Sequence, residues 1–272
     1  MVTSLVELLR WYAAMGVDIA LDAEPHDRFS EGAAPRAAPP PAPARSSPRP
    51  EPARASTPPA PAVTTLPAEA LAQSARESAA SAANLEELRA RLLNFEGCGL
   101  KATATQLVFG DGNPQAEIMF VGEAPGADED RQGVPFVGRA GQLLDKMLAA
   151  IGLDRTKVYI ANVVPWRPPG NRTPTPLETA VCLPFLRRQI ELVAPKLLVC
   201  LGLPSAQTLL GGKEGILRMR GRWYDYEMGG HKIRALAMLH PAYLLRQPAQ
   251  KKLAWQDLRT VAKAINALRS SP

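Results

Sequence analysis

The sequence predicts a three-layer α/β/α domain built on a four-stranded, parallel sheet. Two observations carry this. Four short runs, EIMFVGE, KVYIANVV, KLLVCLG and IRALAMLH, are continuously apolar rather than alternating, as strands are when both faces of a sheet are covered. Between them lie stretches with helical periodicity, AGQLLDKMLAAIGL, PLETAVCLPFLRRQIELVA and SAQTLLGG. Alternating strand and helix patterns imply parallel strands joined by crossover helices.

The elements ahead of this domain differ in kind. Residues 1–22 read as an amphipathic helix, with Leu5, Leu8, Leu9, Tyr12, Met15 and Ile19 near helical spacing. Such a helix either packs on the main domain or docks in the groove of a protein partner. Residues 23–66 are rich in Pro and Ala. They offer too little apolar surface to offset the entropy of ordering, so a disordered, partly extended linker is expected. A helical run, PAEALAQSARESAASAANLEELRARLLNF, follows. Its 67–83 portion leads into a folded domain spanning 84–270.

Composition narrows the classes. The 272 residues suffice for one sizeable core plus extra segments. Thirty-two Lys and Arg against 26 Asp and Glu give a net charge of +6, which favours a polyanionic partner. The three cysteines, Cys98, Cys182 and Cys200, are too few and too widely spaced for a disulfide framework. Glu7 and Arg10 interrupt the N-terminal apolar stretch, unlike a secretory leader. No run approaches the ~20 apolar residues that span a bilayer. The expectation is a cytoplasmic monomer without a membrane segment.

In parallel sheets, ligands bind beyond the carboxyl ends of the strands. Here those ends carry Glu123, Asn162, Gly202 and His240. The loop GEAPGADEDRQGVPFVGRAG supplies Gly122, Ala124 and Gly126, which bring backbone N–H groups to a cleft, and Phe136. It lacks the Gly-Lys-Ser/Thr of a P-loop and the spacing of a dinucleotide fingerprint. An amide at a strand end, Asn162, suits a base edge, since it offers a donor and an acceptor together. Arg167 and Arg172 on the proline-stiffened loop NVVPWRPPGNR suit phosphates. His240 can donate to a developing anion. Leu244, Leu245 and Arg246 after it combine apolar and cationic groups, as a wedge into a base stack requires. Each residue alone has a plain structural reading, as core anchor, loop cap or first helical turn. Together they converge on one rim.

Three of these stretches, GEAPGADEDRQGVPFVGRAGQLL, YIANVVPWRPPGNRTPTPLE and LHPAYLLR, resemble the family 4 uracil-DNA glycosylases in content and order. The resemblance covers about 95–265. It implies a uracil-DNA glycosylase-like fold and monofunctional excision of uracil from DNA, by hydrolysis of the N-glycosidic bond in base-excision repair. No lysine is evident as a Schiff-base nucleophile. Phe136 would stack on the flipped base and Asn162 would read its Watson–Crick edge. His240 would donate to the ring oxygen that gains charge. Glu123 would shape the pocket and help to orient water, while Leu244 to Arg246 would enter the duplex. Alternatives are a glycosylase for another deaminated base such as hypoxanthine, or a silent damage-binding module. Relatives in this family carry a four-cysteine iron–sulfur cluster. Here the FEGC turn places Phe95 at the first ligand position and Cys98 at the second. Trp166 stands at the third and Cys182 at the fourth. Two thiolates do not hold a cubane, so no metal or cofactor is expected, with Phe95 and Trp166 filling the vacated volume.

Overall fold

The computed structural model describes residues 68–270. The amphipathic stretch 1–22 and the linker 23–66 lie outside the described residues. Helices α1 (Ala68–Ala80) and α2 (Leu85–Asn94) open the domain. The periodic run through both breaks at Asn84, whose extended backbone and side chain cap α2. The side chain accepts from Glu87 N at 2.9 Å, and Glu87 in turn accepts from Ala83 N at 2.9 Å. A short polar residue there satisfies donors that a helix start leaves open.

The sheet contains β1 (Asp111–Gly112), β2 (Ile118–Gly122), β3 (Tyr159–Asn162), β4 (Leu197–Leu201), β5 (Trp223–Met228) and β6 (His231–Met238). Its order is β1-β3-β2-β4-β6-β5. The four expected strands, β3, β2, β4 and β6, run parallel at its centre. The sheet is nevertheless six-stranded and mixed, because β1 and β5 pair antiparallel at its edges. An edge strand need not be apolar on both faces. In β5 only Tyr226 is buried, and β1 has two residues, so neither carries the pattern of the central four.

Period-two alternation divides the central strands between two cores. Met119, Val121, Tyr159, Ala161, Leu198 and Cys200 face one, with α1, α2 and α5 (Pro176–Val193). Ile118, Phe120, Ile160, Val199, Leu236 and Met238 face the other, with α4 (Arg139–Ala149) and α9 (Lys251–Ser270). Shorter helices fill the rim: α3 (Ala127–Gln132), α6 (Leu203–Leu210), α7 (Ile216–Met219) and α8 (Pro241–Arg246). Register sets Gly122 beside Asn162 and Leu201 beside Met238. The residues that follow these strands therefore emerge at one rim. No helix among the described residues is long and apolar enough to cross a membrane.

Candidate functional site

The rim encloses a cleft of about 540 Å³. Glu123, Ala124, Gly126, Phe136, Asn162 and His240 line it, so the residues expected at the site meet there. Gly122 permits this meeting. A Cβ on it would fall 2.4 Å from Asn162 Oδ1 and 2.7 Å from Phe136 Cζ, so only glycine lets the amide and the ring close over the strand end.

Asn162 ends β3 and is 5% exposed, yet its Oδ1 has no hydrogen-bond partner. Glu123 Oε1 is buried and unpartnered as well. An unmet buried acceptor costs about 1–3 kcal/mol. Two at one cleft mark a place where a ligand's polar edge would complete the bonding. Burial raises the Glu123 carboxyl above its ordinary range, and hydrogen bonding from the Thr173 side chain opposes that shift.

His240 is the N-cap of α8, and its Nδ1 accepts from Ala242 N at 3.1 Å. Burial and then the Arg246 charge push its pKa down to about 4. The imidazole is neutral at pH 7. Because Nδ1 accepts, Nε2 carries the proton and is the donor. The Phe136 ring lies beside it, with centroids 5.5 Å apart and planes inclined at 33°. Phe136 itself has a positive φ of 57°.

The cationic residues differ in their freedom. Arg246 is exposed at the cleft mouth. Arg172 is exposed but holds Glu178 through two bonds of 2.8 and 2.7 Å, and lowers that carboxyl to about 2. Arg167 is half-buried and donates to Asn171 Oδ1 at 2.8 Å. One sequence expectation is overturned. Leu244 is not an exposed wedge but a core residue, 1% exposed, because the first turn of α8 rotates it inward onto the α4 and α9 side of the sheet. Leu245, half-buried, and Arg246 remain at the surface.

Sequence reading missed Glu129, Thr173 and Tyr243, which also line the cleft. Glu129 carried a legible signal, an acid three residues into a helix. It bridges the two halves of the Gly-rich loop, accepting from Gly126 N at 3.1 Å and from Val137 N and Gly138 N, each at 2.9 Å.

The cysteine corner lies in the core on the α5 side. Cys98 and Cys182 are buried and unbridged, and the Cys182 thiol donates to Cys98 Sγ at 3.7 Å. Phe95 packs on Phe185 with ring centroids 5.1 Å apart, and its ring folds back over Gly97 within the FEGC turn. Trp166 is 2% exposed in the same core. Among the described residues no group of three or more His, Cys, Asp or Glu is placed to hold a metal. Two neighbouring thiols fall short of the four ligands that an iron–sulfur cubane requires. Cys200 is central core, its thiol pushed up to about 12 by burial.

The sequence of this domain is similar to those of known proteins. Residues 109–259 match the model of the uracil DNA glycosylase superfamily. A type-4 uracil-DNA glycosylase of Archaeoglobus fulgidus is 42% identical over 184 residues, 66% of this chain and 92% of its own length. One from Thermotoga maritima is 45% identical over 184 residues, 66% of this chain and 94% of its own. A third, from Sulfurisphaera tokodaii, is 39% identical over 183 residues, 65% and 83% respectively.

Proposed function

The chain belongs to the uracil DNA glycosylase superfamily, and from that we infer that it excises uracil from DNA by hydrolysing the N-glycosidic bond. The observation that carries the residue assignment is the unpartnered Asn162 Oδ1, buried at the cleft beside a neutral histidine and an aromatic ring. A base must leave the helix stack to enter such a cleft. The Phe136 ring then takes the place of a stacking neighbour. Asn162 bonds the Watson–Crick edge, its unmet oxygen accepting from the uracil imide N–H. Cytosine has no proton at that ring nitrogen and is disfavoured.

Breaking the bond to N1 leaves negative charge on the base and positive charge on the sugar. His240 Nε2–H donates to the ring oxygen that gains charge, and being neutral and fixed by its cap it does so without reorganising. A donor of this kind is worth about 3–4 kcal/mol. Glu123 stands at the cleft as the group that orients the attacking water. Water adds its oxygen to the sugar carbon, one proton is released, and the uracil anion leaves and takes up a proton. Arg246, Leu245, Arg167 and Arg172 form the surface offered to the DNA backbone and the emptied stack.

We further propose that this chain works without an iron–sulfur cluster. Burial of Phe95 and Trp166 in the same core as Cys98 and Cys182 supports the reading.

The test is alkaline strand cleavage of end-labelled oligonucleotides carrying one uracil, unpaired or opposite G or A, with thymine and hypoxanthine controls. Cleavage at uracil that is abolished by Asn162→Ala supports the assignment. Tight binding without cleavage would instead identify a damage-recognition module.

A further inference from the structure

The turn that carries Phe136 is held by a side chain outside the cleft. A residue with a Cβ enters the positive-φ region at a cost and stays there only where its surroundings over-determine it. For Phe136, at φ 57°, the surroundings act on the peptide that follows it. The carbonyl of that peptide, Phe136 O, accepts from Arg155 Nη2, and Pro135 O accepts from Arg155 Nη1 at 3.1 Å. The N–H of the same peptide, on Val137, donates to Glu129. Gly141 lets the carbonyl lie flush against α4, since a Cβ there would fall 1.6 Å from Phe136 O.

Arg155 is anchored in turn. Nη1 donates to Asp111 Oδ2 at 2.7 Å and Nε to Asp145 Oδ1 at 2.8 Å. One half-buried guanidinium thus ties edge strand β1 and helix α4 to the two carbonyls of the Phe136 turn. The planar fork fixes these directions together, which a lysine ammonium does not.

We infer that Arg155 is a positioning residue for base excision: it locks the 136–137 peptide and thereby the tilt of the ring on which the flipped base stacks. This rests on the reading of the cleft as a uracil site. Arg155 does not line the cleft, so its effect passes through Phe136.

The experiment uses the full chain with Arg155→Met and Arg155→Lys, each alone and combined with Phe136→Leu. Three quantities are read: amide exchange at 136–138, affinity for uracil-containing DNA, and single-turnover excision. Arg155→Met is expected to accelerate exchange at 136–138 and to lower excision about tenfold, with DNA affinity within about twofold of wild type. In the Phe136→Leu background the same change is expected to cost less than about twofold, because residues acting through one another are not additive. Arg155→Lys follows Arg155→Met, and carries the same readouts if the methionine variant does not fold. Equal fold-losses in both backgrounds, or unchanged exchange at 136–138, overturn the inference. If the wild-type chain releases no uracil, the functional reading fails, while the exchange measurement still decides whether Arg155 holds the turn.

Discussion

The imidazole of His240 and the ring of Phe136 stand 5.5 Å apart, inclined at 33°, as adjoining walls of one cleft. They come from loops more than a hundred positions apart in sequence, and they serve different ends. In the proposed reaction Phe136 offers a face to a base, whereas His240 offers a proton to the charge that base acquires.

Removing the donor should therefore cost rate rather than binding. His240→Ala and Asn162→Ala are each expected to lower single-turnover excision by roughly 10²–10³-fold, with DNA affinity nearly unchanged. Gel-shift titration and quenched-flow kinetics on one uracil oligonucleotide separate the two quantities. Equal loss of affinity and rate contradicts these roles.

The pH dependence follows from the burial of His240. Its folded pKa of about 4 lies below the ordinary 6.5, so the fold disfavours the charged form. The associated stability is complete above pH 6.5 and is lost as pH falls toward 4. Protonating Nδ1 also breaks its bond from Ala242 N. Excision should show no inflection near pH 6.5. The acid limb of the wild-type profile should belong to Glu123, raised above 4.5 by burial, and should shift down toward 4 in Glu123→Gln. An inflection at 6.5 that persists in Glu123→Gln would count against a neutral histidine.

Gly122→Ala tests the closeness of the walls. The new methyl meets Asn162 Oδ1 and the Phe136 ring, both side-chain atoms, at 2.4 and 2.7 Å. The expected cost in stability is about 1–3 kcal/mol. Excision by the folded variant should also fall, by more than about 100-fold, because both displaced groups are proposed to touch the base. Thermal melting beside single-turnover kinetics checks the contrast.

If aromatic packing has replaced metal ligation, Trp166→Ala should destabilise the fold by about 3–5 kcal/mol. Cys98→Ser with Cys182→Ser should leave excision within about threefold, since surviving thiols that bind nothing contribute only packing. Protein purified without oxygen should carry no stoichiometric iron by elemental analysis. Iron in fixed proportion to the chain would refute the proposal.

Leu244 and Arg246 should behave differently although a single residue separates them. Leu244→Ala empties a core site and should cost about 2–5 kcal/mol of stability. Arg246→Ala should leave melting unchanged, weaken DNA binding, and reduce the slope of log affinity against log salt by about one. A salt titration of both variants decides which of them meets DNA.

Much of this was legible in the chain itself. Continuous apolar runs gave the four central strands, because burial on both faces leaves no polar alternation to confuse them. Glu123, Asn162 and His240 could be placed at one rim because parallel strands share a carboxyl end. The edge strands β1 and β5 were not legible, since partial exposure removes their signature. Leu244 was misplaced because its role depends on the direction a short helix faces, which the nearby cation Arg246 does not reveal.

Local sequence thus determined which segments are strands and helices, and which side chains end them, because propensity, periodicity and caps act over a few residues. Only the tertiary structure decided that Gly122 lets Asn162 meet Phe136, that the acceptors on Glu123 and Asn162 are left unmet, and that Arg155 reaches two carbonyls nineteen and twenty positions away. Those facts arise from packing between distant segments, where sub-ångström clearances and unmet hydrogen bonds depend on the whole fold.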